Sequence, residues 1–258
     1  MKSTITILLS LFICLYVMGA DRELPKDFKS LKALAENGDA DAQYNLGMKY
    51  YRGQGIGKDF KEAVKWFHKA AKQGDALGQY MLGQAYYWGR GVERDPKEYL
   101  KLYLKAAKQG HADSQNGLGV IYQYGQGVEK DFKEAAKWYL KAAEQGHAEG
   151  QYSIGWLYYH GKGVLKDEKE ALKWSRKAAE QGHAGAQLTL GFMYQRGQAV
   201  PEDFVTAYAW LNIATSNDKR KKDYKLRHAK KMTPDQIAKA EALTKGMVKK
   251  NPKLINKP

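Results

Sequence analysis

The sequence has almost no cysteine. Cys14 is the only one in 258 residues, and it lies close to the N-terminus. Beyond that position neither a disulfide bond nor a thiol nucleophile can contribute. The stability of the chain must therefore come from the packing of its secondary-structure elements against their neighbours.

The apolar run at the N-terminus is short. Lys2 is followed by an apolar run from Ile5 to Met18 and then by the small residues Gly19 and Ala20. The run is shorter than the roughly 20 residues that span a bilayer, and its flanks are typical of a secretory signal peptide. We predict a signal peptide over residues 1–20, cleaved after Gly19 or Ala20, and hence a secreted or periplasmic protein. An uncleaved membrane anchor is the alternative.

A short pattern, in which a glutamine is followed four residues later by a glycine, recurs every 36 residues. A constant period between 20 and 50 residues is typical of stacked repeat units rather than of one globular core. The chain is therefore predicted to be a repeat array. The five copies place these structural residues at Gln43 and Gly47, Gln79 and Gly83, Gln115 and Gly119, Gln151 and Gly155, and Gln187 and Gly191.

Each copy predicts two helices. The first helix contains the pattern and ends at a glycine turn, as at Gly53-Gln54-Gly55, since two such glycines reverse the chain at low steric cost. A second helix begins after the turn, because Asp59 and Glu62 have the spacing of a capping box. Trp66 and the alanines around it then give the second helix one apolar face.

These residues resemble the Sel1-like repeat, a relative of the tetratricopeptide repeat, whose pattern is A-x-A-Q-x-x-L-G-x-x-Y-x-x-G-x-G-V-x-x-D followed by an A-x-x-W helix. The resemblance covers about Asn37 to Ala214. It implies an all-α fold, a right-handed α/α solenoid with five repeats over residues 39–216. It also implies a non-catalytic protein that binds a protein or peptide partner. The departures from the pattern are few: Leu102, Asn116, Leu188 and Ala199.

The segments outside the repeats are predicted to cap the array, because terminal repeats must present a polar outer face. Residues 21–38 hold one helix, Asp27 to Asn37. Residues 217–250 are predicted to form basic capping helices, and residues 251–258 a flexible tail. One capping helix starts at Thr233 with Gln236 as its reciprocal partner. Its predicted apolar face consists of Ile237, Ala240, Leu243 and Met247.

The C-terminal region carries most of the excess positive charge. From Asp218 onward, 14 Lys and Arg stand against four acidic residues, a net charge of +10 out of +15. Clustered Lys and Arg attract any polyanion, so an anionic surface is one candidate partner. An exported chain seldom meets nucleic acid, and no nucleic-acid partner is expected. The competing interpretation is a solvated surface that keeps the protein soluble.

No cofactor or metal site is predicted. The glycine turn at Gly53 to Lys58 departs from a phosphate-binding loop, because Asp59 stands where that motif needs Ser or Thr. His111, His147 and His183 are 36 residues apart, which places them on separate repeats, about 10 Å from one another. One zinc ion needs all its ligands about 2 Å away. We therefore predict that these histidines lie at helix starts.

The competing functional class is an enzyme of the cell envelope, such as a weak β-lactamase-like hydrolase, or a binder of glycan or peptidoglycan fragments. Ser216 and Lys219 match the S-x-x-K motif of penicillin-recognising enzymes but lack its partner motifs. An enzyme should gather titratable residues at one place, whereas a scaffold distributes its contacts over several repeats. The sequence favours the scaffold.

A ligand-binding groove is predicted on the side of each first helix that the repeat pattern leaves free. In related solenoids this side lines a concave groove. Exposed rings there would suit an extended ligand, with a peptide as the favoured candidate and a glycan as the second. The alternative is that the rings pack between adjacent helices. The candidates are Arg52, Met81, Gln84, Trp88, Tyr124, Trp156, His160, Phe192 and Arg196. On the opposite side, Gly155 is predicted to face the second helix of its repeat, where bulk would overpack the contact.

Overall fold

The computed structural model describes residues 24–25 and 27–255 and builds them from helices; no β-strand occurs among these residues. The predicted signal peptide lies outside the described residues. No helix in the described part is both long and apolar enough to span a bilayer. The helices are α1 (Phe28–Glu36), α2 (Ala40–Arg52), α3 (Phe60–Lys72), α4 (Ala76–Trp88), α5 (Pro96–Lys108), α6 (Ala112–Tyr124), α7 (Phe132–Glu144), α8 (Ala148–His160), α9 (Glu168–Glu180), α10 (Ala184–Arg196), α11 (Phe204–Asn217), α12 (Lys222–Ala229) and α13 (Pro234–Lys250).

Helices α2 to α11 form five antiparallel pairs, one for each predicted repeat. The even-numbered helix of a pair is helix A and the odd-numbered one is helix B. Helix A ends at a glycine with left-handed backbone, as at Gly53 with a φ of 71°. In the fifth repeat Ala199 takes the second turn position and keeps a positive φ of 58°. The chain is thus an all-α solenoid of stacked helix pairs.

The start of each helix B differs from the predicted capping box. Asp59 does cap α3, since its side chain accepts from the backbone N–H groups of Lys61 and Glu62. Its own N–H, however, donates to the Tyr50 carbonyl of helix A at 3.0 Å. Because the Asp59 N–H is already used, it does not donate to the Glu62 side chain as a capping box requires. Glu62 forms an ion pair with Lys65 instead. The bond to Tyr50 ties the two helices of a repeat together.

The recurrent glutamine of helix A connects three helices. The side-chain amide of Gln115 donates to the Ala107 carbonyl of the preceding helix B at 3.1 Å. Its oxygen accepts from Gln145, the residue that ends helix B of its own repeat, at 2.6 Å. The same arrangement recurs along the array, and in the fifth repeat Asn217 takes the place of the helix-ending glutamine. Buried amides need such partners, which explains the structural role of both glutamines.

The histidines at 36-residue spacing lie at helix starts, as predicted. His147 precedes α8, and its Nδ1 accepts from the Gly150 N–H at 3.0 Å. Its Nε2 lies 3.2 Å from an Asp113 oxygen of the preceding helix A. His183 repeats this arrangement with Glu149 at 2.9 Å. Each histidine therefore caps one helix A and contacts the previous one.

The glycine of each helix A lies against helix B. A Cβ built on Gly119 would overlap the Tyr139 ring, and one on Gly47 would lie 2.6 Å from the Phe67 ring. Gly155 faces helix B as predicted, but its neighbour there is Ser175, 3.2 Å from the built Cβ. Of these three glycine contacts, the one in repeat 4 is therefore the most loosely packed.

Both ends of the array are covered by the chain itself. Helix α1 buries Leu31 and Ala35 against α2. At the other end α13 starts with the predicted capping box at Thr233 and Gln236. Its buried residues are Ala240 and Thr244, whereas Leu243 of the predicted apolar face is exposed. The predicted face is thus confirmed at Ala240 and at Met247, which packs against a core cluster, and is wrong at Leu243. Thr244 is buried instead, 3.5 Å from Asn212 of α11.

The structure also differs from the predicted flexible tail. Pro252–Leu254 form a short 3-10 helix, and Leu254 is buried. The Leu254 carbonyl accepts from Gln187 at 2.8 Å and from Asn217 at 2.6 Å. This segment covers the amides that a sixth repeat would satisfy, which is why residues 251–255 are ordered. Residues 256–258 lie outside the described part.

Candidate functional site

Three cavities lie in a row along the A helices of repeats 2 to 5, and we call this row the groove. Each cavity lies between helix A of one repeat, helix B of the same repeat and helix A of the next. Cavity I, between repeats 2 and 3, has a volume of about 140 Å³. Cavity II, between repeats 3 and 4, has about 430 Å³, and cavity III, between repeats 4 and 5, about 220 Å³. Cavities I and II share Val120, and cavities II and III share Tyr152 and Trp156.

Cavity I is bounded by side chains that hold one another in place. Gln84 donates to the hydroxyl groups of Tyr80 and Tyr103, at 3.0 and 2.6 Å, and accepts from Trp88 Nε1 at 2.9 Å. The Tyr103 ring also packs onto Gly117 of the next helix A, where it leaves no room for a Cβ. Trp88 remains 58% exposed at the rim. This end of the groove is therefore largely filled from within.

Cavity II is wider and has a polar edge. Tyr124 stands at its rim and is 64% exposed. Tyr139 of helix B forms the buried wall, and its hydroxyl donates to Gln123 at 2.8 Å. Burial raises the pKa of Tyr139, so the phenol stays protonated and remains a donor. The hydrogen bond from His183 holds the pKa of Glu149, on the opposite side, below its usual value.

Cavity III is lined mainly by rings. Tyr152, Trp156 and Tyr159 come from α8, and Phe192 and Met193 come from α10. Its innermost residue is Ser175 of helix B, which is 1% exposed. His160 packs on Trp156 with ring centroids 4.3 Å apart. Burial, followed by the nearby Lys162 and Lys166, lowers the pKa of His160, so this imidazole is neutral near pH 7.

The structure divides the nine predicted groove residues instead of gathering them. Trp156, His160, Phe192 and Arg196 line cavity III, and Tyr124 lines cavity II with Trp156. Gln84 and Trp88 line cavity I. Met81 packs into the core between repeats 1 and 2, and Arg52 lines a separate cavity beside the N-terminal cap.

The aromatic residues predicted for the groove show both alternatives that the sequence left open, since some rings are exposed and others pack between helices. Trp88 and Tyr124 are exposed. Trp156 is half-buried and packs against a core cluster that includes Tyr139 and Leu157. Phe192 is half-buried too, and its ring meets Tyr224 of α12 edge-on, with centroids 5.4 Å apart. The C-terminal cap therefore borders the last cavity.

Several lining residues were not predicted from the sequence, among them Tyr152, Tyr159 and Ser175 of cavity III. Tyr152 and Tyr159 lie one and eight positions after the core glutamine, and both line cavity III. Ser175 lies on helix B, which the prediction assigned to structure alone. Its signal was present in the sequence, because the equivalent residues 36 apart are Phe67, Tyr103, Tyr139 and Leu211, all large.

No cluster of three or more His, Cys, Asp or Glu residues suited to a metal ion occurs among residues 24–25 and 27–255. Ser216 lies in the last turn of α11, and its hydroxyl donates to the Asn212 carbonyl at 3.1 Å. The charged and imidazole side chains of the groove are divided between cavity II, with Lys130 and Glu149, and cavity III, with His160 and Arg196.

The basic C-terminal region forms the far end of the array. Asp218 lies 2.9 Å from Arg220 Nε and 3.0 Å from Lys221 Nζ. The hydrogen bonds from Arg220 and Lys221 hold the pKa of Asp218 far below its usual value. Most of the other Lys residues of α12 and α13 are exposed. An anionic partner for this region remains a prediction.

Comparison with known proteins places the repeats in a family. The Sel1 repeat model matches residues 40–75, 76–111, 112–147, 148–183 and 184–219. A solved Sel1 repeat protein from Oxalobacter formigenes is 34% identical, with a TM-score of 0.67, and the match covers 75% of this chain and 74% of that one. The protective antigen c5321 of uropathogenic Escherichia coli, described as displaying an SLR fold, is 29% identical with a TM-score of 0.49, over 88% of this chain and 64% of that one. The comparison with curated proteins finds no match. With five consecutive matches to its repeat, the chain belongs to the Sel1 repeat family.

Proposed function

We propose that this chain is an exported scaffold that binds an extended peptide segment of a partner protein in the groove. Sel1 repeat proteins generally act in protein–protein interaction, and the family is generally non-catalytic. The observation that carries the proposal is the row of connected cavities I to III, lined by aromatic rings and crossing four repeats. Solenoids use such extended surfaces for binding.

The lining favours a peptide. Tyr124 and Trp156 offer large apolar surfaces at and between cavities II and III, and such rings are the usual anchors of protein interfaces. Gln123 and Glu149 supply hydrogen-bonding groups between the rings. An extended chain alternates side chains and backbone amides, so it matches rings and polar groups spaced along a groove. A glycan is the second candidate ligand.

The binding test uses peptides selected from a random display library on the immobilised chain. Each selected peptide is synthesised, and its affinity is measured by isothermal titration calorimetry. We expect Tyr124→Ala to weaken binding at least tenfold while the melting temperature stays unchanged, because this ring is mostly exposed. The control is Leu104→Ala on α5, a residue that lines a separate depression and none of cavities I to III. Equal effects of the two changes would contradict groove binding.

Export rests on the sequence of residues 1–20. We expect the protein from the extracytoplasmic fraction to start near Ala20 or Asp21 in N-terminal sequencing. Recovery of the chain in the cytoplasm with Met1 intact would contradict export and leave the binding proposal to be judged by its own test.

A further inference from the structure

Cavity III lies at the one repeat in which the helix B position facing the helix A glycine carries a small residue. At this position the five repeats have Phe67, Tyr103, Tyr139, Ser175 and Leu211. In the other four repeats the large side chain packs onto the glycine of helix A, at distances that leave no room for a Cβ. Ser175 fills only part of that space. Cavity III therefore reaches the space beside the helix A glycine that the large residue occupies in the other repeats.

The size of cavity III suits one aromatic ring. Its volume is about 220 Å³, whereas an apolar cavity of about 150 Å³ is enough to hold a benzene molecule. The walls are the rings of Tyr152, Trp156, Tyr159 and Phe192 together with Met193. Aromatic rings attract one another in edge-on and offset arrangements. A flat apolar group is thus the chemical match for the interior.

Arg196 is the only Lys or Arg residue in the lining of cavity III. The Arg196 guanidinium donates to the Tyr159 hydroxyl at 3.3 Å and lies over the Phe192 ring, 5.6 Å from its centroid. In the part of the chain that the structure describes, Arg196 has no carboxylate partner. Tyr159 is itself fixed, because its hydroxyl donates to Gln198 of the next turn at 3.0 Å. Arg196 is therefore held with donors left for a carboxylate, which guanidinium groups bind in a two-pronged geometry.

The lining of cavity III carries no acidic residue, so a carboxylate ligand meets no repulsion there. His160 is neutral near pH 7 because of its burial and the lysines nearby. The positive charge at this cavity therefore comes from Arg196, with Lys162 and Lys166 in the adjoining turn. Cavity II differs, because Glu149 stands in its wall.

We propose that cavity III binds one aromatic side chain whose neighbouring carboxylate pairs with Arg196. The carboxylate has two sources, the C-terminus of the bound chain or an acidic residue next to the ring. This inference rests on the proposed function, since it names the residue that the bound peptide places between repeats 4 and 5. It also specifies a site that small molecules can test alone.

The probes are three derivatives of 4-fluorophenylalanine observed by fluorine NMR. N-acetyl-4-fluorophenylalanine carries a terminal carboxylate. The second probe is the N-acetylated dipeptide of 4-fluorophenylalanine and glutamic acid with an amidated C-terminus, so its carboxylate is that of the glutamate side chain. The N-acetyl amide of 4-fluorophenylalanine carries no charge. We expect both acids to bind at least fivefold more tightly than the neutral amide. The tighter of the two acids identifies the source of the carboxylate, and equal binding of all three probes would overturn the pairing with Arg196.

Four variants locate the probes. Ser175→Tyr and Ser175→Leu restore a side chain that other repeats carry there, and each should weaken the acids at least tenfold. The matched control Ser175→Ala keeps the cavity and should bind as the wild type does. Arg196→Gln should bring the two acids to the affinity of the neutral amide. If either filled variant melts normally and still binds the acids with wild-type affinity, cavity III is not their site and the proposal fails.

The two proposals fail in different ways. Display-selected peptides that depend on Tyr124 but ignore Ser175→Tyr and Ser175→Leu would support groove binding and overturn the role of cavity III. The converse result is that the fluorinated acids bind to the wild type and fail to bind to Ser175→Tyr while no selected peptide depends on Tyr124. That result would support the ligand site in cavity III and overturn the proposal of peptide binding in the groove.

Discussion

Repeats 3 and 4 contain the same helix A glycine but give it different neighbours. In repeat 3 the Tyr139 ring covers Gly119, and its hydroxyl donates to Gln123. In repeat 4 Ser175 lies beside Gly155, and the counterpart of Gln123 is Tyr159, which bonds to Gln198 of the next repeat instead. One position on helix B thus determines what lies against the helix A glycine, a packed ring in repeat 3 and a small serine that also lines cavity III in repeat 4.

The largest effect on stability is expected at repeat 3, where the Tyr139 ring covers the helix A glycine. Gly119→Ala places a methyl group within the Tyr139 ring, which must move away from Gln123. Overpacking of this kind costs about 1 to 3 kcal/mol of unfolding free energy. Urea unfolding should show a clearly lowered midpoint. A midpoint equal to that of the wild type would mean that Tyr139 does not determine the packing of repeat 3.

The contacts between repeats provide a smaller, pH-dependent effect. The His183 hydrogen bond lowers the pKa of Glu149. A carboxyl whose folded pKa is lowered stabilises the fold above its unfolded pKa, and that stability is lost as the pH falls through the folded pKa. Glu149→Gln should therefore reduce the loss of stability on acidification below about pH 4.3. Because the pair is partly exposed, the effect should stay under about 1 kcal/mol.

The measurement is the difference between the thermal stabilities of wild type and Glu149→Gln from pH 7 down to pH 3. The matched control is Asp113→Asn, which removes the equivalent contact with His147 one repeat earlier. A Glu149→Gln curve parallel to that of the wild type over the whole range would show that the His183 contact contributes nothing to stability.

The smallest effect on stability is expected at repeat 4, where the small Ser175 lies beside the helix A glycine. Gly155→Ala gains up to about 1 kcal/mol of helix propensity, and its Cβ would stand 3.2 Å from Ser175 Oγ, a group that turns aside by rotation. The two contributions oppose each other, so the unfolding free energy should change by less than about 0.5 kcal/mol. Gly155→Val should cost more, about 1 to 3 kcal/mol. If Gly155→Ala destabilises as much as Gly119→Ala, the two repeats are packed alike.

The sequence predicted the repeat period, both helices of each repeat, the glycine turns and the helix-start histidines, because these depend on short-range patterns. It did not predict the bond from Asp59 to Tyr50 or the partners of the core glutamines, since those join residues of different helices. The burial of Thr244 in place of Leu243 and the ordering of Leu254 depend on contacts with α11 and the last glutamine. Such contacts exist only once the array is stacked.

The candidate site shows the same division. Tyr124, Trp156 and Phe192 were found by helical spacing alone, but their unequal exposure depends on what helix B places behind them. Ser175 could have been found by comparing equivalent positions of helix B across the five repeats. The cavity itself required the structure, because a small residue opens a space only where its neighbours do not close over it.

The central claim is that the partner's main contacts in the groove lie at cavities II and III rather than at cavity I, whose lining side chains largely fill it. Trp156 separates cavities II and III, whereas Trp88 stands at the rim of the filled cavity I. The most direct measurement is the affinity of one display-selected peptide for Trp156→Ala and for Trp88→Ala by titration calorimetry, with melting curves for both variants. We expect Trp156→Ala to lose about 2 kcal/mol or more of binding free energy, as hot-spot tryptophans do, and Trp88→Ala to lose less than half of that. An equal or larger loss at Trp88, with both variants folded, would contradict the account.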